Sequence, residues 1–464
     1  MAEHPYDPDQ ARAVEAGGNV VVAAGAGSGK TTVLAGRYLR LVREGATVPS
    51  ILTLTFTRKA AAEMHVRIHR LLAGHADEVP VREQLSLFDQ AHISTLDSFC
   101  SRLSRNDAPH FGLPLSFSVD QEGLKKRAES FALQFLLEKR QHPALKILIS
   151  ANGFEAVWKE FFASYAVREL RIADPPDHIG DFRRQEEFCR LQTAQIFTRL
   201  DALFNRMSSI AREAGGTSKI LIEAAKTAEE WPGSGDLAER EAWGELVDLA
   251  GRKLPRKPGS NVKNPDLLLL RELIDEMRPL QEQAASFAAV LNHREVYRGI
   301  AELMDEFTAG WNNIKRVQGI VSFGDVVSMA VSLLKENREL RTWYKEQFHH
   351  IMIDEFQDNN ELQKELLYLL AERRDRFSPG IPAPEDLDEG KLFFVGDEKQ
   401  SIYRFRGADV SVFKRLSREL GRDGIELGTN YRSHPGLIDF FTVFSPLFLV
   451  PTMNPGILKQ NSGP

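Results

Sequence analysis

A glycine-rich turn between an apolar run and a helical pattern constrains this chain more than any other feature. Residues 20–22 are all valine, glycines recur at Gly25, Gly27 and Gly29, and Lys30 opens a segment whose apolar residues keep helical spacing. Glycine lets the backbone turn successive N–H groups toward an anion, and the positive end of the following helix faces the same point. The pattern therefore predicts a strand, a phosphate-binding loop and a helix.

We expect this loop to bind ATP together with Mg²⁺. Lys30 would reach the β- and γ-phosphates, and the Thr31 hydroxyl would hold the metal. An ordinary glycine-rich turn is the alternative, and the strand and helix patterns on either side argue against it. The predicted nucleotide contacts of the loop are Ala24, which stands where glycine is usual, Gly25, Ala26, Gly27, Ser28, Gly29, Lys30, Thr31 and Thr32.

Residues 350–355 supply the acidic partner that such a loop needs for its metal. An apolar strand pattern ends there in two adjacent carboxylates, Asp354 and Glu355. Asp354 would hold Mg²⁺, and Glu355 would be placed to polarise the attacking water. A lone Asp-Glu pair is weak evidence, but its place at a strand end, downstream of a phosphate loop, predicts a triphosphatase site.

The order of the patterns predicts an α/β fold with a helical insertion. Strand and helix patterns alternate from about residue 19 to residue 105, which indicates a parallel sheet with helices on both faces. From about residue 117 to residue 318 the pattern is almost all helical, and strand patterns return at 349–354 and 391–396. At 464 residues the chain is too long for one compact core.

Composition bounds the location of the protein and its partners. No apolar run approaches the roughly 20 residues of a membrane span, and the polar N-terminus lacks a signal-peptide core. Two cysteines far apart, Cys100 and Cys189, are typical of a reducing compartment. We therefore expect a cytoplasmic protein with no membrane partner. The net charge of −6 argues weakly against nucleic acid as a partner but is compatible with a local basic groove.

One segment of the helical region is strongly basic. Residues 252–263 include two prolines, a glycine, five cations and no acid, so we expect an exposed loop. Solvated surface and contact with a DNA backbone are both open for this loop.

Several motifs resemble those of superfamily-one DNA helicases of the UvrD/Rep type. Residues 353–358, Ile-Asp-Glu-Phe-Gln-Asp, are similar to the acidic motif of that family, and residues 322–326 are a looser match ahead of it. The sequences of residues 94–100 and 117–122 resemble those of the AddA/RecB helicase–nuclease branch of the family. The other motifs follow the family's order, at residues 6–10, 55–64, 94–100, 395–409 and 430–433.

The resemblance implies further nucleotide contacts. Gln10 is similar to the residue that reads the adenine edge, and Tyr431 to the residue that stacks on the adenine face. Gln400 would touch the γ-phosphate and report hydrolysis to the DNA site. Arg432 would stabilise the charge that develops on the γ-phosphate. The predicted catalytic residues are thus Lys30, Asp354, Glu355, Gln400 and Arg432.

The resemblance also implies DNA contacts. Phe56, Tyr403 and Phe405 would offer ring faces on which bases of any sequence stack. Asp97 stands where many members have histidine, which puts backbone contact there in doubt, and Phe99 is expected in the core. The predicted polar contacts with DNA are Thr57, Arg58, Ser98, Arg404 and Arg406. For the last two arginines a structural ion pair is equally open.

Domain organisation follows from the same resemblance. It implies a RecA-like P-loop NTPase domain formed by residues 1–116 and 321–425, with an inserted all-helical domain over residues 117–320. Residues 426–464 would begin a truncated second RecA-like domain. Because the family's later motifs have no counterpart, we expect the N-terminal part of a longer helicase.

The implied activity is ATP-driven translocation on single-stranded DNA with unwinding of duplex DNA, in the 3′ to 5′ direction, in recombination or double-strand-break repair. The branch also implies a partner nuclease or helicase subunit. The alternatives are a DNA-binding scaffold that uses nucleotide as a switch and does not unwind, and a P-loop kinase of a small molecule. DNA-stimulated ATP hydrolysis would separate the three.

Overall fold

The computed structural model describes residues 6–214, 218–401, 409–420 and 424–432. The chain divides into two compact units. The α/β unit comprises Met1–Gln121, Arg171–Asp174 and Lys315–Pro464, and the helical unit comprises Glu122–Leu170 and Pro175–Ile314.

The helices run along the chain in three groups. Helices α1 to α5 are Pro8–Glu15, Lys30–Arg43, Arg58–Ala73, Val79–Leu85 and Leu96–Arg105. Helices α6 to α13 are Gln121–Glu138, Pro143–Asn152, Ser164–Arg168, His178–Glu213, Lys219–Glu229, Trp243–Ala250, Pro265–Asn292 and Arg294–Gln318, and a π-helix, Ala156–Ala163, precedes α8. Helices α14 to α17 are Phe323–Glu336, Arg338–Gln347, Glu361–Ala371 and Val410–Leu420. Within the described part no helix is long and apolar enough to cross a membrane.

Six parallel strands form the central sheet of the described α/β unit. Strands β1 to β3 are Val20–Ala24, Ile51–Thr55 and His92–Thr95, β4 and β5 are Ser118–Val119 and Ile320–Val321, and β6 to β8 are His350–Ile353, Leu392–Gly396 and Ile425–Leu427. The order across the sheet is β3-β2-β6-β7-β1-β8, whereas β4 and β5 pair separately. Because all strands of the sheet are parallel, their carboxyl ends meet at one edge. The register there pairs Thr55 with Thr95, Leu54 with Ile353, Ile353 with Phe394, Ala23 with Gly396 and Ala24 with Leu427.

Alternate strand residues pack on opposite faces of this sheet. Leu52, Ile353 and Phe394 belong to one buried core, which helices α5, α14 and α16 complete. Ile51 and Phe393 belong to the other core, which includes buried residues of α2 and α3. This alternation follows from the two-residue period of a strand. The predicted α/β fold, with a parallel sheet, helices on both faces and a helical insertion, is confirmed.

A short segment inside the predicted insertion returns to the α/β unit. The Ile172 N–H donates to the Asp325 carboxylate at 3.0 Å, and Lys315 Nζ and the Ser322 N–H donate to the same carboxylate at 2.9 and 2.8 Å. Asp325 and Lys315 are buried, so these donors satisfy a charge that would be costly without them. The predicted range 117–320 is therefore interrupted by Arg171–Asp174, a return that depends on tertiary contacts and has no periodicity of its own.

The helical unit has its own hydrophobic core. Long helices α9 and α12 pack together and bury Leu200, Phe204 and Ile274 with their neighbours. Elsewhere in the unit the Phe131 ring stacks on Phe307, with 5.0 Å between the ring centroids. The unit therefore has a buried interior independent of the sheet.

Candidate nucleotide site and nucleic-acid interface

The loop after β1 has the geometry of an anion cradle. Gly27 and Gly29 adopt left-handed backbone conformations, with φ of 72° and 87°. Gly29 caps helix α2, and no side chain occupies that cap. Because the first N–H groups of a helix have no partner within it, they are available to a negatively charged ligand.

Neighbouring residues enclose the loop closely. A Cβ atom on Gly29 would lie 2.6 Å from Gln10 Nε2, and one on Gly27 would lie 2.7 Å from Arg432 Cβ, so only glycine fits at either position. Gln10 Nε2 donates to the Ser28 carbonyl at 3.0 Å. The Ser28 hydroxyl is buried and has no hydrogen-bond partner among the described residues. Gln10, the predicted contact of the adenine edge, and Arg432, the predicted contact of the γ-phosphate, thus both border the loop.

The acidic residues after β6 face the loop. Lys30 Nζ pairs with Glu355 Oε2 at 2.8 Å, and the Glu355 N–H donates to Asp354 Oδ1 at 3.0 Å. Gln357 Nε2 donates to the same Glu355 oxygen at 2.7 Å. Glu355 has a left-handed backbone, with φ of 55°, which is rare for a residue other than glycine. The structure thus brings together Lys30, Asp354 and Glu355, and the catalytic and metal-binding roles predicted for them stay predictions.

Negative charge at this site exceeds positive charge. The pKa of Asp354 is raised to about 7 by burial and by the nearby Glu355, with Lys30 opposing both effects. The pKa of Asp358 is raised to about 6 by burial and by Glu355, with Lys30 again opposing. Three carboxyl groups therefore surround one ammonium group, and such a site favours a further cation.

Described residues of the motif at 395–409, here called the third motif, adjoin the same carboxylate through Gln357. The Asp397 N–H donates to Gln357 Oε1 at 2.8 Å, and Ser401 Oγ donates to the Gln357 carbonyl at 3.1 Å. Gln400 Nε2 donates to Asp397 Oδ2 at 2.7 Å. In this arrangement the predicted γ-phosphate contact, Gln400, is held by Asp397, which Gln357 connects to Glu355.

The segment after β8 lies on the phosphate loop. The Tyr431 N–H donates to the Gly27 carbonyl at 2.9 Å, and the Tyr431 hydroxyl bonds the Asp7 carboxylate. Tyr431 is 56% exposed, as expected of a residue that would contact adenine. Arg432 is also exposed.

Two neighbours of the site were not predicted from the sequence. Arg67 Nη1 donates to the Thr32 hydroxyl at 3.0 Å, a contact that arises because α3 packs on α2. No local pattern could have indicated it. Gln357 lies inside the acidic motif at residues 353–358, and its place in that motif could have indicated that it neighbours the site.

The described part of the predicted DNA interface lies at the ends of β2 and β3. Phe56 is half-buried, Arg58 is exposed, and the Thr57 hydroxyl caps α3 by accepting from the Ala60 N–H at 3.1 Å. Ser98 Oγ and Thr95 Oγ1 share a hydrogen bond of 2.7 Å. The buried Phe99 belongs to the core, as predicted. Lying outside the described residues are Tyr403, Arg404, Phe405 and Arg406.

Two cations of the basic loop at residues 252–263 are bonded to groups of the helical unit itself. Arg252 donates to the Glu230 carbonyl, and Lys257 forms an ion pair with Asp275. Lys253 and Lys263 are exposed. These contacts favour a structural role for the paired cations over contact with DNA.

The fold and the site together define a P-loop nucleotide-binding α/β protein with a helical insertion. The chain belongs to the UvrD/REP helicase family, since the model of the UvrD/REP helicase N-terminal domain matches residues 6–421. The family resemblance predicted from the motifs is thereby confirmed.

Several similar proteins are named as a subunit, AddA, of an ATP-dependent helicase/nuclease. That of Geobacillus thermodenitrificans is 30% identical over 94% of this chain and 39% of its own length, and that of Geobacillus kaustophilus is 29% identical over the same shares. That of Streptococcus pyogenes serotype M3 is 24% identical over 93% of this chain and 37% of its own length. The names of these relatives agree with the predicted resemblance to the AddA/RecB branch. The chain spans about two fifths of the length of these relatives.

Proposed function

We propose that this chain is the ATP-binding and ATP-hydrolysing N-terminal part of a DNA helicase that translocates on single-stranded DNA and unwinds duplex DNA. The observation that carries the proposal is the contact of Lys30 with Glu355 beside an uncapped helix N-terminus. A phosphate-binding lysine and a carboxylate able to polarise water are the two groups that phosphoryl transfer to water requires. Recombination or double-strand-break repair is the process that the family relationship supports.

Five residues around the loop would bind ATP. Lys30 would contact the β- and γ-phosphates, and the N–H groups that begin α2 would bind phosphate oxygens. Gln10 and Tyr431 would contact the adenine edge and face. Arg432 would stabilise charge on the γ-phosphate, and Gln400 would contact that phosphate in place of its present partner, Asp397.

The residues present fit a magnesium ion. Asp354 is buried and its pKa is raised to about 7, so a divalent cation beside it would stabilise its ionised form. The buried Asp358 Oδ1 has no hydrogen-bond partner among the described residues. Thr31 and Asp354 would hold Mg²⁺, which supplies neutralisation of phosphate charge when it is bound.

Glu355 would act as the base for the attacking water. Its Oε2 atom is bonded to Lys30 and Gln357, which leaves Oε1 for a water proton. When Lys30 turns to the phosphates, Glu355 loses its ion-pair partner and becomes a stronger acceptor. The resting pair therefore holds both residues in place until substrate arrives.

Single-stranded and duplex DNA are the proposed substrates of translocation and unwinding. Phe56, Arg58 and Ser98 lie at the same sheet edge as the proposed nucleotide residues, and Thr57 caps α3 there. The relatives are named as subunits, which supports a partner chain for this protein as well. Both cysteines are free and buried, in keeping with a cytoplasmic location.

A nucleotide-switched scaffold without unwinding is the less favoured function. A protein that only senses nucleotide has no need of a base, and Glu355 here is held in an uncommon backbone conformation beside the phosphate loop. Strain of that kind is typically kept where function requires it.

Unwinding of a forked DNA duplex by the full-length protein tests the proposal. Glu355→Gln should lower ATP-driven unwinding by about two orders of magnitude or more, the usual cost of losing a general base. Glu361→Gln makes the same chemical change at an exposed residue that pairs with Arg415, and should unwind like the wild type. Unwinding that survives Glu355→Gln, or that proceeds without ATP, would refute the assignment.

A further inference from the structure

A buried amide connects the carboxylate of the hydrolysis site with the third motif. Gln357 is 1% exposed, and both ends of its side-chain amide are bonded. Its Nε2 donates to Glu355 Oε2 at 2.7 Å, and its Oε1 accepts from the Asp397 N–H at 2.8 Å. The orientation of the amide is fixed by its partners, because a carboxylate cannot donate and a backbone N–H cannot accept.

Neighbouring backbone is shaped around this amide. A Cβ atom on Gly396 would lie 2.8 Å from Gln357 Oε1 and 2.8 Å from the Phe413 ring, so β7 approaches Gln357 only because residue 396 is glycine. Ser401 Oγ holds the Gln357 carbonyl at 3.1 Å. Gln357 is thus held from its side chain and its main chain by the segment that carries Gln400.

We propose that Gln357 is a positioning residue that aligns Glu355 for hydrolysis and ties that alignment to the third-motif segment. The proposal rests on the function of Glu355 proposed above. Lys30 and Gln357 bond the same oxygen of Glu355. When Lys30 turns to the phosphates, Gln357 is the donor that keeps Glu355 Oε2 in place and leaves Oε1 directed at water. A displacement of Asp397 would move the amide and, through it, the carboxylate.

Two substitutions at residue 357 distinguish the hydrogen bond that the amide donates from the one that it accepts. Gln357→Leu removes both hydrogen bonds. Gln357→Glu keeps the shape and the acceptor for the Asp397 N–H but removes the donor and sets a carboxylate against Glu355. In the full-length protein both should lower the kcat of DNA-stimulated ATP hydrolysis about 10- to 100-fold, by analogy with the loss of groups that orient metal ligands. ATP affinity should change less than about twofold, because Lys30 and Thr31 remain. Gln363→Leu, a matched change at the cap of α16, should leave kcat unchanged.

A double substitution distinguishes positioning from a structural role. If Gln357 acts through Glu355, adding Gln357→Leu to Glu355→Gln should lower kcat by less than about twofold, because the aligned group is already lost. A further loss equal to that of Gln357→Leu alone would overturn the proposal. So would wild-type kcat in Gln357→Glu, an isosteric change whose folding is the least at risk. Wild-type kcat in Glu355→Gln would instead refute the function of Glu355 on which the inference rests.

Discussion

At the scale of single residues, Glu355 combines a strained backbone with several close contacts. Among the described residues, Glu355 and Glu241 are the non-glycine residues with positive φ, at 55° and 57°. Such a conformation costs about 1–3 kcal/mol and persists only where surrounding contacts enforce it. For Glu355 those contacts are the Lys30 ion pair and the Gln357 hydrogen bond. The backbone strain directs the carboxylate toward the phosphate loop.

Removing the side chain in two ways measures the strain at residue 355. Glu355→Ala and Glu355→Gly both lack the carboxylate, but only glycine adopts positive φ without cost. The glycine variant should therefore be the more stable by about 1 kcal/mol, as judged by the midpoint of urea unfolding. At Glu302, an exposed position inside helix α13, the order should reverse because alanine favours a helix. Equal midpoints for the two variants at residue 355 would argue against strain there.

At the scale of elements, buried charged side chains of α15 hold the start of the loop between α16 and β7 in place. Lys345 Nζ donates to Glu372 Oε2 at 3.0 Å and to the Arg373 carbonyl at 2.9 Å. Arg341 pairs with the same Glu372 oxygen at 2.8 Å, and Lys391 Nζ donates to the Lys345 carbonyl at 2.9 Å. Lys345 and Arg341 thus share one buried carboxylate, and the buried Lys391 ammonium group is bonded to the main chain of Lys345, so protonation of Lys391 in this cationic cluster is unfavourable.

This cluster predicts a pH-dependent stability. Burial lowers the pKa of Lys391 from 10.5 to about 7, so between these values the unfolded chain binds more protons than the folded one. Stability should therefore rise with pH from 7 upward, by up to about 1.4 kcal/mol per pH unit, and below pH 7 this contribution should be constant. Lys391→Met should flatten that rise in urea unfolding between pH 6.5 and 9. Lys59→Met, at a side chain that is 88% exposed, should not. Parallel pH curves for wild type and Lys391→Met would contradict the prediction.

Elements with a regular period were predictable, and those set by tertiary contacts were not. The strands that carry the loop and the acidic pair could be predicted because β1 and β6 are buried apolar runs. The π-helix Ala156–Ala163 and the return at Arg171–Asp174 were not predicted, since contacts distant in sequence determine them. Within the site, Lys30 and Glu355 each lie in an unbroken sequence motif, so both could be predicted. The contact of Arg67 with Thr32 joins two helices, and no local pattern indicates it.

At the scale of the whole molecule, the proposed ATP and DNA sites lie along one edge of the central sheet. The loops after β1, β6, β7 and β8 carry proposed nucleotide contacts, and those after β2 and β3 carry the described part of the proposed DNA contacts. Because β6 lies between β2 and β7, its acidic residues are the proposed nucleotide contacts next to the strand that precedes Phe56. In the proposed function, a change in these residues on hydrolysis would therefore lie close to both ligands, as coupling of ATP hydrolysis to DNA requires.

The rate of ATP hydrolysis by the full-length protein, with and without single-stranded DNA, decides whether this protein is a DNA-driven ATPase. DNA should raise the rate many-fold, Lys30→Ala and Glu355→Gln should lower the stimulated rate by about two orders of magnitude or more, and Glu361→Gln should retain it. A nucleotide-switched scaffold would show no appreciable hydrolysis, and a small-molecule kinase would hydrolyse ATP without regard to DNA. A rate that DNA leaves unchanged would contradict the account.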